Sequence, residues 1–416
     1  MPMFLPTDIL LPKKELMDRW AVIACDQFTS QPEYWDKVAS VCEGVPSTFH
    51  MIFPEAYLES EDIGRIDQIS ATMRTYLKDG VFDQYPDSLV YVERQLANGA
   101  IRQGIVGMCD LEEYDFHDEA NAGIVATEKT VVERLPARIS IRTNAPLETS
   151  HILLLCDDPE KQLIESFAAR KDEMKLLYDI DLMMGGGRLS GWLITGSLAK
   201  DFLTLQEAYV ASVQKRAGEE GRKPLYYAVG DGNHSLAAAK ECYERLKRSN
   251  PSQSYANHPA RYAMVELENI RCDALEFTPI HRVVNDTDPW RLLEALQTLD
   301  KKDGHPVKWF IGDQSGVMHL DATSGALPIQ ILQDFLDGYL EENQGFIDYI
   351  HGSDIVRKLA RQDNAIGLAL PPFAKEGLFT GIASKGVLPR KTFSMGHASE
   401  KRYYMEARKI KEDCEI

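Results

Sequence analysis

The chain has 416 residues, 44% hydrophobic and 26% charged, which excludes collagen, coiled coil and wholesale disorder. At about 150 residues per domain this length predicts two or three domains, enough to bury a core without metal or disulfide staples. There are 46 lysines and arginines against 64 acidic residues, a net charge of -18, which repels nucleic-acid backbones and anionic membranes but permits a local cationic pocket.

No stretch approaches the roughly 20 apolar residues of a membrane helix. The apolar run at the start has no basic region ahead of it, so it does not read as a signal peptide. The expectation is a cytosolic protein with neither nucleic acid nor membrane as partner. Seven cysteines (Cys25, Cys42, Cys109, Cys156, Cys242, Cys272, Cys414) are scattered without a CxxC pair, which argues against a disulfide framework or a structural zinc site.

In chain order, Trp20 to Cys25 reads as a short strand. Ser30, Pro32 and Glu33 then predict a capped helix. Ile63, Ile66, Ile69 and Met73 form one apolar stripe and predict a helix over about 60–77. Four runs rich in valine, isoleucine and leucine between 88 and 155, "GIVATEKTVVERL" among them, predict strands. A helix is expected over 159–177, a tight hairpin at "DLMMGGGRLSGWLIT", and another helix over 203–217. Leu225 to Val229 reads as a strand and Gly230 to Gly232 as a turn. A helix follows from Asn233 to about Lys247, carried by Leu236, Ala239, Tyr243 and Leu246. "RYAMVELEN" and "LEFTPIHRVV" are strands. A boundary is placed near Asn285, where Asp288 caps a helix, Pro289 starts it, and Leu292, Leu293 and Leu296 give its inner face. Beyond it come a hairpin-like "VKWFIGD" and "GVMHL", a helix around 330–339 and the strand "AIGLALP". The tail frays or docks through Tyr403 and Tyr404. The fold class is α+β. A mixed-sheet main domain spans 1–285, with its glycine turn leading into a helix, and a smaller C-terminal α/β domain spans 286–416.

The chemistry concentrates at "VGDGNHSLAAA". A turn entering a helix leaves the first amides without intrahelical partners, and the helix dipole adds partial positive charge. Gly232 lets the backbone bend, Asn233 and Ser235 add donors, and His234 can donate to a phosphoryl oxygen or move a proton. Asp231 repels phosphate unless it acts through magnesium, accepts a hydroxyl proton or points away. A capped turn with no ligand is the plainer alternative. His281 and Arg282 in "TPIHRVV" point to opposite faces of a strand. Glu128 and Thr130 alternate with Lys129 in "ATEKT". Asp26 and Cys25 sit just past a strand end, where ligand groups are frequent, though Cys25 has no activating partner in the sequence. Arg390 and Lys391 in "LPRKTF" read equally as an anion contact or as surface charge. No GxxxxGK[ST], HExxH or GxSxG motif occurs.

These segments carry a resemblance. The chain resembles the bacterial and archaeal proteins grouped as domain of unknown function 1015, from about Leu5 to Phe393. The family's D-G-H-H-R-Y-like stretch matches at Asp231, Gly232 and His234, with Asn233 and Ser235 replacing a histidine and an arginine. Its P-x-H-R stretch matches at Pro279, His281 and Arg282. Its H-E-x-T-like stretch matches at Glu128 and Thr130, and its P-x-K-[ST]-T-like stretch at Pro389 and Lys391. The D-G-[HN]-H turn is also similar to one in the ParB and sulfiredoxin-like superfamily, whose members bind nucleotides or phosphate there and include free-serine kinases.

The expectation is a protein that binds a nucleotide or a phosphorylated small molecule, with phosphoryl transfer or hydrolysis assisted by Mg2+. Asp231 and His234 would be catalytic, Asp231 would hold the metal, and Gly232, Asn233, Ser235, His281, Arg282, Glu128, Lys129, Thr130 and Lys391 would bind the ligand. The alternative is a non-catalytic ligand sensor or interaction protein, which loss of the arginine donor at Ser235 favours.

Overall fold

The structure, a computed structural model, describes residues 2–411 apart from 61–62, 118–121, 131, 133–134, 322–326 and 373; Cys414 lies outside the described residues. The fold is α+β with mixed sheets. The chain forms two compact units. The larger comprises Met1–Ala126, Thr130–Leu275 and His397–Ile416, and the smaller Thr127–Lys129 and Glu276–Gly396. The boundary expected at 285 therefore falls before the strand Phe277–Asn285. That strand pairs with Phe346–His351, Ile366–Ala369 and Phe393–Met395 of the smaller unit. The last segment returns to the larger unit because Ala407 pairs with both Leu10 and Thr149.

At the centre of the larger unit's sheet lies the strand Tyr262–Asn269, antiparallel to Ile101–Asp110 and parallel to Leu153–Cys156. Both faces are covered. Ala263, Val265 and Leu267 enter one core and Met264 the other, so the strand is buried almost throughout, as a two-sided strand must be. Glu266 and Glu268 share a face with Met264 by alternation. Arginines meet them there: Arg402 Nε is 2.6 Å from Glu266 Oε2, and Arg102 Nε 2.8 Å from Glu268 Oε1.

The expected hairpin is present as Lys175–Asp181 against Arg188–Ile194. Its first strand takes the end of the helix expected over 159–177, which survives only as a 3-10 segment, Glu165–Glu173. Asp158 is one cause: its carboxylate accepts the amides of Glu160, Gln162 and Leu163 and holds a turn where the helix would have started. The helix Pro32–Val41 starts at Gln31 without a side-chain cap, so Ser30 and Glu33 form no capping box. The strand expected through "ATEKT" stops at Ala126.

The smaller unit is an antiparallel sheet ordered Gln314–Leu320, Asp300–Ile311, Ile366–Ala369, Phe277–Asn285 and Phe346–His351. The helix Pro289–Gln297 buries Leu292, Leu293 and Leu296, and Asp288 Oδ1 accepts the amides of Trp290 and Arg291, as its sequence requires. The helices Ser353–Leu359 and Leu378–Lys385 were not anticipated.

Candidate functional site

In the larger unit the strand Tyr227–Asp231 runs into Gly232, whose φ of +79° favours glycine. A Cβ there would lie 3.0 Å from both Cα and Cγ1 of Ile152, so close approach demands glycine as well. The helix Asn233–Ser249 follows, and the amides of Ser235 and Leu236 return to the Gly232 carbonyl at 2.9 and 3.1 Å. Asn233 Oδ1 is buried without a protein hydrogen-bond donor. Asp231 uses both oxygens: Oδ1 accepts the Gly232 amide at 2.9 Å and Oδ2 accepts Lys401 Nζ at 3.0 Å. Lys401 thus stands where the sequence placed a magnesium ion. Among the described residues no group of three or more His, Cys, Asp or Glu side chains is arranged to hold a metal. One carboxylate already paired with an ammonium is a poor donor set for Mg2+, which is bound through carboxylates and substrate phosphates.

Sequence reasoning missed the second part of this site. His151 is 5% exposed, with Nδ1 2.7 Å from the Tyr404 hydroxyl and Nε2 3.8 Å from Asp26 Oδ2. Tyr404 Oη accepts the Cys25 amide, and burial holds its phenol protonated. The hydroxyl therefore donates to Nδ1, which leaves the Nε2 proton facing Asp26. Burial pulls the His151 pKa below its ordinary value against the pull of Asp26 and Asp231, with Arg138 and Arg402 adding to burial, so the imidazole is neutral at pH 7. Burial opposes ionisation of Asp26, but His151, Gln27, Lys401 and Arg138 outweigh it and keep the carboxyl below its usual range. Burial pushes the Cys25 thiol up to about 11, which removes it as a nucleophile near pH 7.

A cavity of about 140 Å3 adjoins these groups. Ser235, His151, Tyr404 and Arg138 line it together with Met51, Phe53, Met73, Ile141 and Ile152. The tail's position explains why Lys401 and Tyr404 were overlooked. The strand Tyr403–Tyr404 pairs with Val22–Ile23, a contact no local pattern announces. Of the two alternatives expected of the tail, fraying or docking through the two tyrosines, the structure shows docking. Asp26, noted only as a strand-end residue, faces His151.

The smaller unit gathers other family-signature residues. The Glu128 carboxylate accepts the amides of Lys391 and Thr392, both at 2.9 Å. Burial raises its pKa although those bonds and Arg282 oppose the rise. Arg282 is fully buried. It donates to Gln333 Oε1 at 2.9 Å and to the carbonyls of Ile280, Lys391 and Arg390 at 2.7, 3.0 and 3.4 Å, and it packs on the Tyr349 ring. Burial lowers the guanidinium to about 10, still charged at pH 7. His281 Nδ1 accepts the Leu370 amide, and burial lowers its pKa. Arg282 and Glu128, expected to meet a ligand, thus brace the loop Pro389–Thr392 from within. Lys129 and Lys391 are exposed, and Lys391 Nζ lies 5.1 Å from the Tyr349 ring centre. Thr130 belongs to the larger unit, so "ATEKT" is divided between the two.

A family model described as a protein of unknown function (DUF1015) matches residues 5–411. No curated protein matches the chain. Among solved structures the chain is similar to SbnI with a C-terminal truncation from Staphylococcus aureus, at 9% identity and a TM-score of 0.36, over 70% of this chain and 82% of that one. It is similar to a conserved hypothetical protein from Pyrococcus furiosus at 11% identity and a TM-score of 0.33, over 73% and 94%. It is also similar to a free serine kinase in complex with AMP, at 11% identity and a TM-score of 0.35, over 73% and 90%. Likenesses this slight add nothing to the geometry. No helix among the described residues is long and apolar enough to cross a membrane.

Proposed function

The chain belongs to the DUF1015 family of proteins of unknown function, and we propose that its larger unit binds a nucleotide or another phosphorylated small molecule at the Gly232 turn and transfers or hydrolyses a phosphoryl group there. One observation carries this reading: a left-handed glycine opens the helix Asn233–Ser249 beside a cavity, and a lysine stands 3.0 Å from the acid of the same turn. The dipole and donors of the turn favour an anion. Lys401 supplies the local positive charge that a chain of net charge -18 needs. In this reading Ser235, Asn233 and His234 hold the phosphoryl oxygens. Once the ligand draws Lys401 toward its phosphate, Asp231 accepts the proton of the attacking hydroxyl or water as its oxygen bonds to phosphorus; the P–O bond to the leaving group breaks, and the departing oxygen takes its proton from water. No step is assigned to a metal, and no ligand contact to His281, Arg282 or Glu128.

The test is calorimetric titration of the full chain with AMP, ADP and ATP, with product assays run in parallel. Asp231→Asn is expected to reduce turnover by about 10²-fold or more while unfolding free energy falls by about 1–3 kcal/mol, because Lys401, 12% exposed, loses its counter-charge. Undiminished turnover in that variant would remove Asp231 from the chemistry. Binding without any product would favour a non-catalytic sensor, a reading supported by the grip of Lys401 on Asp231.

A further inference from the structure

The cavity beside Ser235 has room for several non-hydrogen atoms at about 140 Å3, and its chemistry restricts what can enter. Its apolar walls include Met51, Phe53, Met73, Ile141 and Ile152. The charged side chains that reach it are already matched within the protein. Arg138 pairs with Glu55, and Glu148 with Arg142 and Arg408. The remaining titratable groups carry no charge near pH 7: the Cys25 thiol and Tyr404 phenol stay protonated and His151 stays neutral. A charged ligand group placed inside would find no unmatched counter-charge and would lose its hydration. An apolar body would lose nothing and would cover surface that close packing normally leaves no gap beside. The helix Asn233–Ser249 contributes Ser235 and Ala238, one turn apart, to the wall. The cavity therefore runs along the same helix end to which the phosphate reading assigns the anion.

We infer that this cavity receives the apolar body of the ligand, so that the ligand class is a phosphate monoester carrying a compact alkyl or single-ring group, with the phosphate outside at the Gly232 turn and the apolar part among Phe53, Met73 and Ile141. The inference rests on the phosphate reading for the head group and on the cavity alone for the body.

The two can be separated by titrating the full chain calorimetrically with inorganic phosphate and with methyl, ethyl, n-propyl and n-butyl phosphate. Affinity is expected to rise about threefold to fourfold for each added methylene. Ala137→Leu, which narrows the cavity from a half-buried wall position, is expected to flatten the series. Ile141→Ala is expected to extend the rise to n-hexyl phosphate. A flat series in the unaltered chain with inorganic phosphate still bound would overturn the cavity assignment and leave the phosphate reading standing. A rise that neither variant changes would do the same. No binding of inorganic phosphate or of any ester would overturn the phosphate reading, and the ligand class with it.

Discussion

Arg402 ties the tail to two buried carboxylates and to the Ser150 carbonyl, and its removal gives a worked expectation. Its side chain is 4% exposed. Nε lies 2.6 Å from Glu266 Oε2 and Nη2 2.8 Å from Glu406 Oε2, on carboxylates 7% and 1% exposed, and Nη1 donates to the Ser150 carbonyl on the cavity wall. Arg402→Met keeps much of the volume and removes the charge. Two carboxylates would then be stranded where water cannot reach them, although Glu406 keeps the Tyr178 hydroxyl. The variant can escape an uncompensated buried charge by binding a proton. Taking up one proton at pH 7 by a glutamate that ionises near 4.3 when unfolded costs about 1.4 kcal/mol per pH unit, or about 3.7 kcal/mol. That figure falls within the roughly 3–5 kcal/mol found when one partner of a buried ion pair is removed. The folded carboxyl pKa of the variant lies above its unfolded value, so the loss grows as pH rises between the two and shrinks as pH falls. At pH 5.5 it should be only about 1.6 kcal/mol. Urea unfolding of both chains at the two pH values measures this directly. A loss below about 1 kcal/mol at pH 7, or one that does not shrink on acidification, would show that Arg402 does not neutralise these acids.

Glu268 offers a related pH experiment. It is fully buried, both oxygens lack hydrogen-bond partners, and Arg102 Nε sits at ion-pair distance but out of hydrogen-bond alignment. Burial pushes its carboxyl pKa up, Arg102 resists, and Glu266 adds to the rise. A folded pKa above the unfolded value means that stability is lost as pH rises, so Glu268→Gln should flatten the fall between about pH 5 and 8 by up to about 1.4 kcal/mol per pH unit. Urea midpoints that stay parallel across that range would contradict the assignment. Gly232→Ala puts a Cβ 3.0 Å from Ile152 at a φ of +79°. It should destabilise the larger unit by about 1–3 kcal/mol and weaken phosphate binding together with it, and calorimetry and urea unfolding on the same variant test both.

Much of the fold was legible where local rules decide it. The helix Asn233–Ser249 combines a 3.6-residue apolar period with a glycine that its own backbone angle requires. The helix Pro289–Gln297 carries its cap and its proline in sequence. What failed was decided elsewhere. Residues 175–181 have helical neighbours in sequence but pair in a ladder with Arg188–Ile194, which in turn pairs with Phe82–Gln95. Tertiary pairing overrides propensity in such cases. The site divides in the same way. The Gly232 turn is a local signal, whereas His151 lies in an unremarkable lead into a strand. Arg282 has the composition of an anion ligand, but burial and three backbone carbonyls make it a brace. One signal was available and unused. Glu266 and Glu268 alternate inside an apolar strand, a pattern that requires buried cations from somewhere in the chain.

For Glu266 the tail answered that requirement through Arg402, whose neighbours in sequence are anchored as well. In "KRYY", Lys401 meets Asp231, Arg402 meets Glu266 and the Ser150 carbonyl, Tyr403 donates to the Met183 carbonyl, and Tyr404 donates to His151. This polar run is buried because each side chain finds a specific partner. Docking of 397–411 and assembly of the site are therefore one event. A phosphate that contacts Lys401 must stabilise the docked segment by RT ln(1 + [L]/Kd). Loosening the segment, as Arg402→Met does, must weaken that phosphate by the same coupling factor, because linkage between two equilibria is reciprocal.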